Sequence, residues 1–240
     1  MTKLINEEGL RIDGRKIDEI RPLKIEVGTI KNANGSAYIE FGKNKIIAAV
    51  YGPKEAHPKH ISQPDRMVLR CRYHMAPFST DTRKSPAPSR REIEISKVIR
   101  ESLEPVLLVE EYPRTLIDIY VEVLESDGGS RCAGITAAAA ALADSGVSMK
   151  DMVVACAAGK IDGQIVLDLS DEEDKEGQAD MPVALLPNLN LVTLLQLDGH
   201  LTEEEFHKTF NLAINGCRQI FSVQREALIN RHFGKTDRKE

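Results

Sequence analysis

The sequence predicts a two-layer α+β chain built of two similar halves with antiparallel-rich sheets. Three observations carry this. A strand, strand, helix succession occurs twice, although no fixed residue period marks it. A polar break, Gly146–Lys150, falls between the two successions. Asn34-Gly35 and Asp162-Gly163 each separate two alternating segments, which is a hairpin signal and therefore an antiparallel one. The division that follows is an N-terminal arm over 1–20, a first half over 21–150, a second half over 151–232 and a polar tail over 233–240.

Composition narrows the function classes. The 240 residues are 42% hydrophobic, enough to bury a proper core. Aromatic residues make up only 5% and Trp is absent, so single strands gripped by rows of stacked rings are not the expected mode. A net charge of −5 argues against wholesale electrostatic binding of nucleic acid and leaves room for a local basic patch. Cys71, Cys132, Cys156 and Cys217 lie far apart, without zinc-ligand spacing, and read as reduced thiols. No signal-peptide run or membrane-length apolar stretch occurs, so a cytoplasmic location is expected and no membrane partner.

In chain order, residues 1–20 are polar, carry Asp13-Gly14 as a turn signal, and read as a surface arm. From Lys24 the pattern becomes strands: KIEVGTIKNA, then SAYIEFG after Asn34-Gly35, then KIIAAVYGP after Gly42-Lys43-Asn44. Residues 53–91 hold nine basic residues against three acidic ones, a strong bias in an acidic chain. It fits either a solvated loop face or a sequence-blind grip on phosphates. Within it Met67–Tyr73 reads as a strand, with Arg66, Arg70 and Arg72 on one parity, and Thr82–Pro88 reads as a loop.

Ser89 and Glu92 have capping-box spacing, and Ile95, Val98, Ile99, Ser102 and Val106 follow at helical spacing. Arg90 and Arg91 fall in that first turn, where the helix dipole disfavours cations by ~0.3–1 kcal/mol each. An anion at that end would offset the cost. Thr115–Glu125 alternates as a half-buried strand, and Ile135–Ala143 is an Ala-rich buried helix. Between them lies Ser126-Asp127-Gly128-Gly129-Ser130-Arg131. This stretch has two readings. One is a strand–helix turn that needs glycine, capped by Asp127 or Ser130. The other is a phosphate seat made of free N–H groups after Gly129, the Ser130 hydroxyl and the Arg131 fork.

In the second half MVVACAAGKI and QIVLDLS flank the Asp162-Gly163 turn. The run SDEEDKE, 170–176, reads as a solvated acidic loop. Its alternative role is chemical: Asp174 and Asp180, either side of Gly177, could converge on a divalent cation or act as general acid. Strands VALLP and NLVTLLQLDG follow. Thr202–Glu205 is a further capping box, opening a long helix with Phe206, Phe210, Leu212, Ile214, Cys217, Ile220, Phe221 and Leu228 as its apolar set.

With these stretches placed, the chain resembles the ribonuclease PH family, and within it looks most like the catalytic ring subunits of the archaeal exosome. The resemblance rests on RIDGRKIDEIRPLKIEVG (11–28), RYHMAPFSTDTRKSPAPSRREIEISKVIRESLEP (72–105), PRTLIDIYVEVLESDGGSRCAGITAAAAAL (113–142) and LDLSDEEDKEGQADMPVALLPNLNLVTLLQLDG (167–199). It implies a ribosomal protein S5 domain 2-like fold and phosphorolysis, in which inorganic phosphate attacks the 3′-terminal phosphodiester of RNA and a nucleoside diphosphate leaves. By motif, Arg91 is similar to the family's phosphate-holding arginine, and Arg90 to an RNA or phosphate contact. Gly129, Ser130 and Arg131 match its phosphate loop, and Asp174 and Asp180 its acidic pair, which binds Mg²⁺ or assists the leaving group. Gln178 departs from the pattern, since an acidic residue usually stands there, and a direct metal role does not extend to it.

The resemblance also implies partners: RNA, a paralogous noncatalytic ribonuclease PH-like subunit alternating with this chain in a hexameric ring, and RNA-binding cap proteins. His57-Pro58-Lys59-His60 would then face the ring channel, with Lys59 and His60 on the incoming strand. Noncatalytic ring subunits tend to lack the arginine and aspartate set. This chain keeps it and is expected to be active. The other readings are a stand-alone ribonuclease PH that trims tRNA 3′ ends and a noncatalytic RNA-binding ring subunit.

Overall fold

The structure, a computed structural model, describes residues 4–6 and 8–234. The first sheet contains β1 (Leu23–Val27), β2 (Gly35–Phe41), β3 (Asn44–Glu55), β4 (Val68–Met75) and β5 (Thr115–Glu125), in the order β1-β2-β3-β5-β4. All its pairings are antiparallel except β4 with β5. The second sheet contains β6 (Val154–Ile161), β7 (Gln164–Leu167), β8 (Ala179–Leu186), β9 (Leu191–Leu195) and β10 (Asp198–Gly199). Its order is β10-β8-β6-β7 with β9 also on β8, and every pairing is antiparallel.

Each sheet has helices on one face, and the halves meet helix side inward. Helix α1 (Arg90–Leu103) packs on β4, while α2 (Ser130–Asp144) touches both sheets. The short α3 (Asp171–Glu176) precedes β8, and α4 (Glu203–Phe233) lies across β6, β7 and β8 and reaches β1. Helix α2 is apolar all round because both of its sides are covered. Every residue from Cys132 to Leu142 is buried. Alanine serves this place well, since it has the highest helix propensity and lets two sheets approach closely.

Local signals place most termini. The Ser89/Glu92 and Thr202/Glu205 capping boxes both form, and α1 and α4 start there. Asp162 and Gly163 have φ of +48° and +77°, the left-handed pair that a two-residue hairpin requires, and Ile161 pairs with Gln164.

Other elements differ from the sequence reading, each for a physical reason. Asn34-Gly35 is not the β1–β2 turn, because Val27 pairs with Ala37 and the connection spans the residues between them. Gly35 is instead a close-approach site: a Cβ there would lie 2.2 Å from the Ala141 carbonyl oxygen. Asn34 ties the loop to β3 by accepting the Gly52 N–H at 2.9 Å. The acidic run is not a loop but α3, capped by the Ser170/Glu173 box. Acidic side chains in its first turn suit the positive end of the dipole.

The buried stripe of α4 is Thr209, Ala213, Gly216, Cys217, Ile220 and Gln224, smaller than the apolar set read from sequence. Gly216 fits within 2.7 Å of the Cys156 sulfur, counted from where its Cβ would stand, so the helix can lie on the sheet only with small residues there. Phe206 and Phe210 flank that stripe half-buried, their rings stacked 6.3 Å apart.

Residues 1–20 are no surface arm where they are described. Leu4 and Ile5 pack in a small cluster with Ile161, Val166 and Leu169, and Arg11 and Arg15 are buried. Of the predicted tail, residues 235–240 lie outside the described residues, and Phe233 ends α4.

Candidate active site

A cleft of about 360 Å³ opens between the halves, where the starts of α1 and α2 face α3, β8 and β10. It brings together Arg91, Gly129, Ser130, Arg131, Asp174 and Asp180, which are separated by up to 89 positions in sequence. Arg90 is exposed at the first position of α1, and Lys59 and His60 form an exposed 3-10 turn. None of these three lines the cleft.

The glycine loop is a strand–helix turn whose helix start is left uncapped. Gly129 is the N-cap of α2, with φ of +65°, and no side chain among the described residues caps the helix. Neither Asp127 nor Ser130 takes that role. The first N–H groups of α2 therefore remain available, no acidic residue occupies its first turn, and the dipole favours an anion there. Gly128, at φ of +68°, has no room for a side chain: a Cβ would come within 2.6 Å of the Ser170–Asp171 backbone.

Arginines border this helix start. Arg131 donates from Nη1 to Gln196 Oε1 and from Nη2 to Glu94 Oε2 at 3.4 Å, while its buried Nε has no protein partner among the described residues. Arg91 is exposed and lies near enough to Asp174 to pull its carboxyl pKa down. The first turn of α1 also holds the buried Glu92, which accepts the Met75 and Ser89 N–H groups at 2.8 and 2.6 Å. Its carboxylate, held below the usual range by those bonds despite burial, offsets part of the cost of two arginines there.

The acids lie on the opposite wall. Burial pushes Asp180 up to about 7, and the Asp174 charge adds to this while Arg131 opposes it. Its Oδ1 is buried without a hydrogen-bond partner among the described residues. Asp174 is also raised, by loss of solvent in the cleft and by Asp171 and Asp198, against the pull of Arg91. Asp198 sits directly across from Asp180 in the β8–β10 pairing. The sequence shows Asp198 only as half of an Asp-Gly turn, and nothing local marks it, Gln196 or Glu94 as cleft residues. Gln178 turns away: its side chain accepts the Gly163 N–H at 2.9 Å.

A buried ionic scaffold holds the cleft from behind. Arg21 donates to the Asp127 and Gly128 carbonyls and to both Asp168 oxygens, at 2.7 and 2.9 Å for the latter. Asn44 brackets the same loop, donating to the Gly128 carbonyl at 2.6 Å and accepting the Asp127 N–H at 2.8 Å. Arg11 makes a two-pronged pair with Glu173, the residue beside Asp174, and also donates to the Leu167 and Asp168 carbonyls. Arg21 thus fixes the glycine loop and Arg11 fixes the acid-bearing helix. Bidentate geometry with every polar atom engaged is the condition under which buried ion pairs are tolerated.

The basic segment of 53–91 does not form one continuous patch. Arg70 and Lys54 converge on the buried Asp118 on the outer face of the first sheet, at 2.5 and 2.8 Å. Arg90 and Arg91 stand instead at the start of α1, where Arg91 lines the cleft.

Two models of the 3′ exoribonuclease family match the chain, domain 1 over residues 19–148 and domain 2 over residues 151–216. The chain is 62% identical over 231 residues to the exosome complex component Rrp41 of Pyrococcus abyssi, covering 96% of this chain and 93% of that protein. It is 55% identical over 231 residues to the same component of Nitrosopumilus maritimus, covering 96% and 95%. In fold it is similar to rice Rrp46, with a TM-score of 0.80 at 24% identity over 91% of this chain and 100% of that one. It is also similar to a chain of the Archaeoglobus fulgidus exosome solved with RNA bound to the active site, with a TM-score of 0.77 at 24% identity over 90% and 92%. At that identity the two structures speak to the fold alone. Among the described residues no helix is long and apolar enough to cross a membrane.

Proposed function

The chain belongs to the 3′ exoribonuclease family of the ribonuclease PH type, and from that premise we propose how its cleft works. It is the catalytic, phosphorolytic subunit of an archaeal-type exosome ring, removing nucleotides from RNA 3′ ends with inorganic phosphate as co-substrate. The observation that carries the residue roles is the single cleft in which an uncapped helix start and two arginines face a raised carboxyl group.

Attacking phosphate and scissile phosphodiester are both anions and repel each other. The N–H groups at the start of α2, the Ser130 hydroxyl, Arg131 and Arg91 hold the attacker and neutralise charge growing in the transition state. A phosphate oxygen then bonds to the terminal phosphorus while the bond to the preceding 3′-oxygen breaks. The departing oxygen takes a proton. Asp180 supplies it, since burial raises its carboxyl group to about 7 and lets it hold a proton near neutral pH. The products are a shortened RNA with a free 3′-hydroxyl and a nucleoside diphosphate.

With Asp180 ionised, it and Asp174 would hold Mg²⁺ in place of that proton. Among the described residues no group of three carboxylate, His or Cys side chains forms a protein cage. That suits an ion which takes one or two carboxylates and completes its shell with water and substrate phosphates. Bound there, it would supply positive charge beside the leaving oxygen.

RNA grip and assembly follow from charge and exposure. A single chain of net charge −5 with split basic residues neutralises few RNA phosphates, so a paralogous neighbour in a hexameric ring completes the groove and RNA-binding cap proteins deliver the strand. Arg90 takes a phosphate beside the cleft, and Lys59 and His60 touch the strand farther out. In support, Leu189, Leu191, Val192, Leu195 and Leu197 are exposed along one sheet edge next to the cleft, a patch suited to a partner. The complex works in the cytoplasm.

Arg91 gives the first test. Arg91→Ala should raise the phosphate KM by about ten- to a hundredfold, the worth of a hydrogen bond to a charged group. RNA binding should weaken less. Phosphate-saturation curves on the chain reconstituted with its paralogous partner check this. An unchanged phosphate KM would make Arg91 an ordinary surface charge.

A further inference from the structure

Among the hydroxyls of the helices, Ser130 is the exception. Ser96, Ser102, Thr136 and Thr209 each donate to the carbonyl four residues back, at 2.6 to 3.0 Å. That back-bond is the usual destination of a helix hydroxyl. Ser89 and Thr202 cap their helices instead. Ser130 does neither. It is the first residue of α2, so no helical carbonyl lies four residues before it. It is buried at 4% exposure, yet lines the cleft.

The bond it does make comes from the far side. Tyr73 on β4, 2% exposed, donates its phenol O–H to Ser130 Oγ at 2.9 Å. Burial pushes that phenol above its ordinary range, against the pull of Ser130, Arg91 and Arg131, so it stays neutral and remains the donor. With one lone pair of Ser130 occupied, the serine's own proton is free. Among the described residues no protein group accepts it. The remaining direction is the cleft, where the α2 N–H groups would face the phosphate proposed above.

We propose that Tyr73 is a positioning residue: its phenol orients the Ser130 hydroxyl so that the serine O–H donates to the incoming phosphate. The inference rests on the phosphate seat proposed above and adds the residue that aims one of its donors. It also accounts for a tyrosine rather than a phenylalanine at a buried position. A buried phenol needs a partner, and this partner is a site residue. The backbone of Tyr73 is held independently, its N–H donating to Ser96 Oγ at 2.8 Å, so the ring stays in place when the hydroxyl is removed.

The experiment is a cycle of Tyr73→Phe, Ser130→Ala and the double variant, made in the full chain reconstituted with its partner. Phosphate and RNA saturation are measured separately, with thermal unfolding as the folding control. Tyr73→Phe should raise the phosphate KM about three- to tenfold, the range of one net hydrogen bond, with the RNA KM and melting temperature little changed. The double variant should be no worse than Ser130→Ala, because both changes remove one interaction. A phosphate KM unchanged by Tyr73→Phe but raised by Ser130→Ala overturns the proposal. So do fully additive effects, which would make Tyr73 merely structural. Ser130→Ala probes the pair without disturbing the core should Tyr73→Phe melt early; a phosphate KM unmoved by Ser130→Ala overturns the proposal. If Arg131→Ala leaves it unmoved as well, the phosphate seat itself falls.

Discussion

Asp180→Asn should lower kcat by about a hundred- to ten-thousandfold, the usual contribution of a positioned general acid. RNA binding should persist, since the change keeps size and removes only the titratable oxygen. The pH profile of the unmutated chain carries the same signature. Burial, helped by the Asp174 charge, places the Asp180 carboxyl at about 7. The protonated form is the active acid, so kcat/KM should be high below that value and fall by about tenfold per pH unit above it. Asp180→Asn should show no such limb. Near-normal turnover in the variant, or a profile flat from pH 6 to 9 in the parent, would remove Asp180 from the chemistry.

Asp168→Ala should destabilise the fold by about 3–5 kcal/mol, the cost of leaving buried charge unpaired. Asp168 is 2% exposed and accepts from the Arg21 backbone and guanidinium and from Arg15. Removing it strands Arg21 behind the glycine loop. Against a total stability of roughly 5–15 kcal/mol, this is a large fraction. Denaturant unfolding reads it directly, as a drop in midpoint with little change in slope. A loss below about 1 kcal/mol would mean that water reaches the pocket and the pair is of surface type.

Local chemistry in the sequence made much of the fold legible. The capping boxes at Ser89 and Thr202 and the turn at Asp162-Gly163 each depend on residues within four positions, and all three form as read. The Gly128–Arg131 loop was legible for the same reason, because adjacent glycines before an apolar helix constrain the backbone directly. What stayed hidden depends on distant partners. Arg21 lies 147 positions from Asp168, Arg11 lies 162 from Glu173, and Asn44 lies 84 from Gly128. In sequence each looks like an ordinary charged or polar residue. Gly35 misled because glycine answers two needs, a turn and a close contact, and only packing against α2 decides between them. Asp198 misled likewise, since its role comes from lying opposite Asp180 across a two-residue strand.

This chain performs phosphorolysis at RNA 3′ ends. Its most direct measurement is product identity: a 3′-labelled single-stranded RNA incubated with the full chain and its paralogous partner, with and without inorganic phosphate. Nucleoside diphosphates should appear only with phosphate, in amounts that saturate with phosphate concentration. Release of nucleoside monophosphates at the same rate without phosphate would make the chemistry hydrolytic and contradict phosphorolysis.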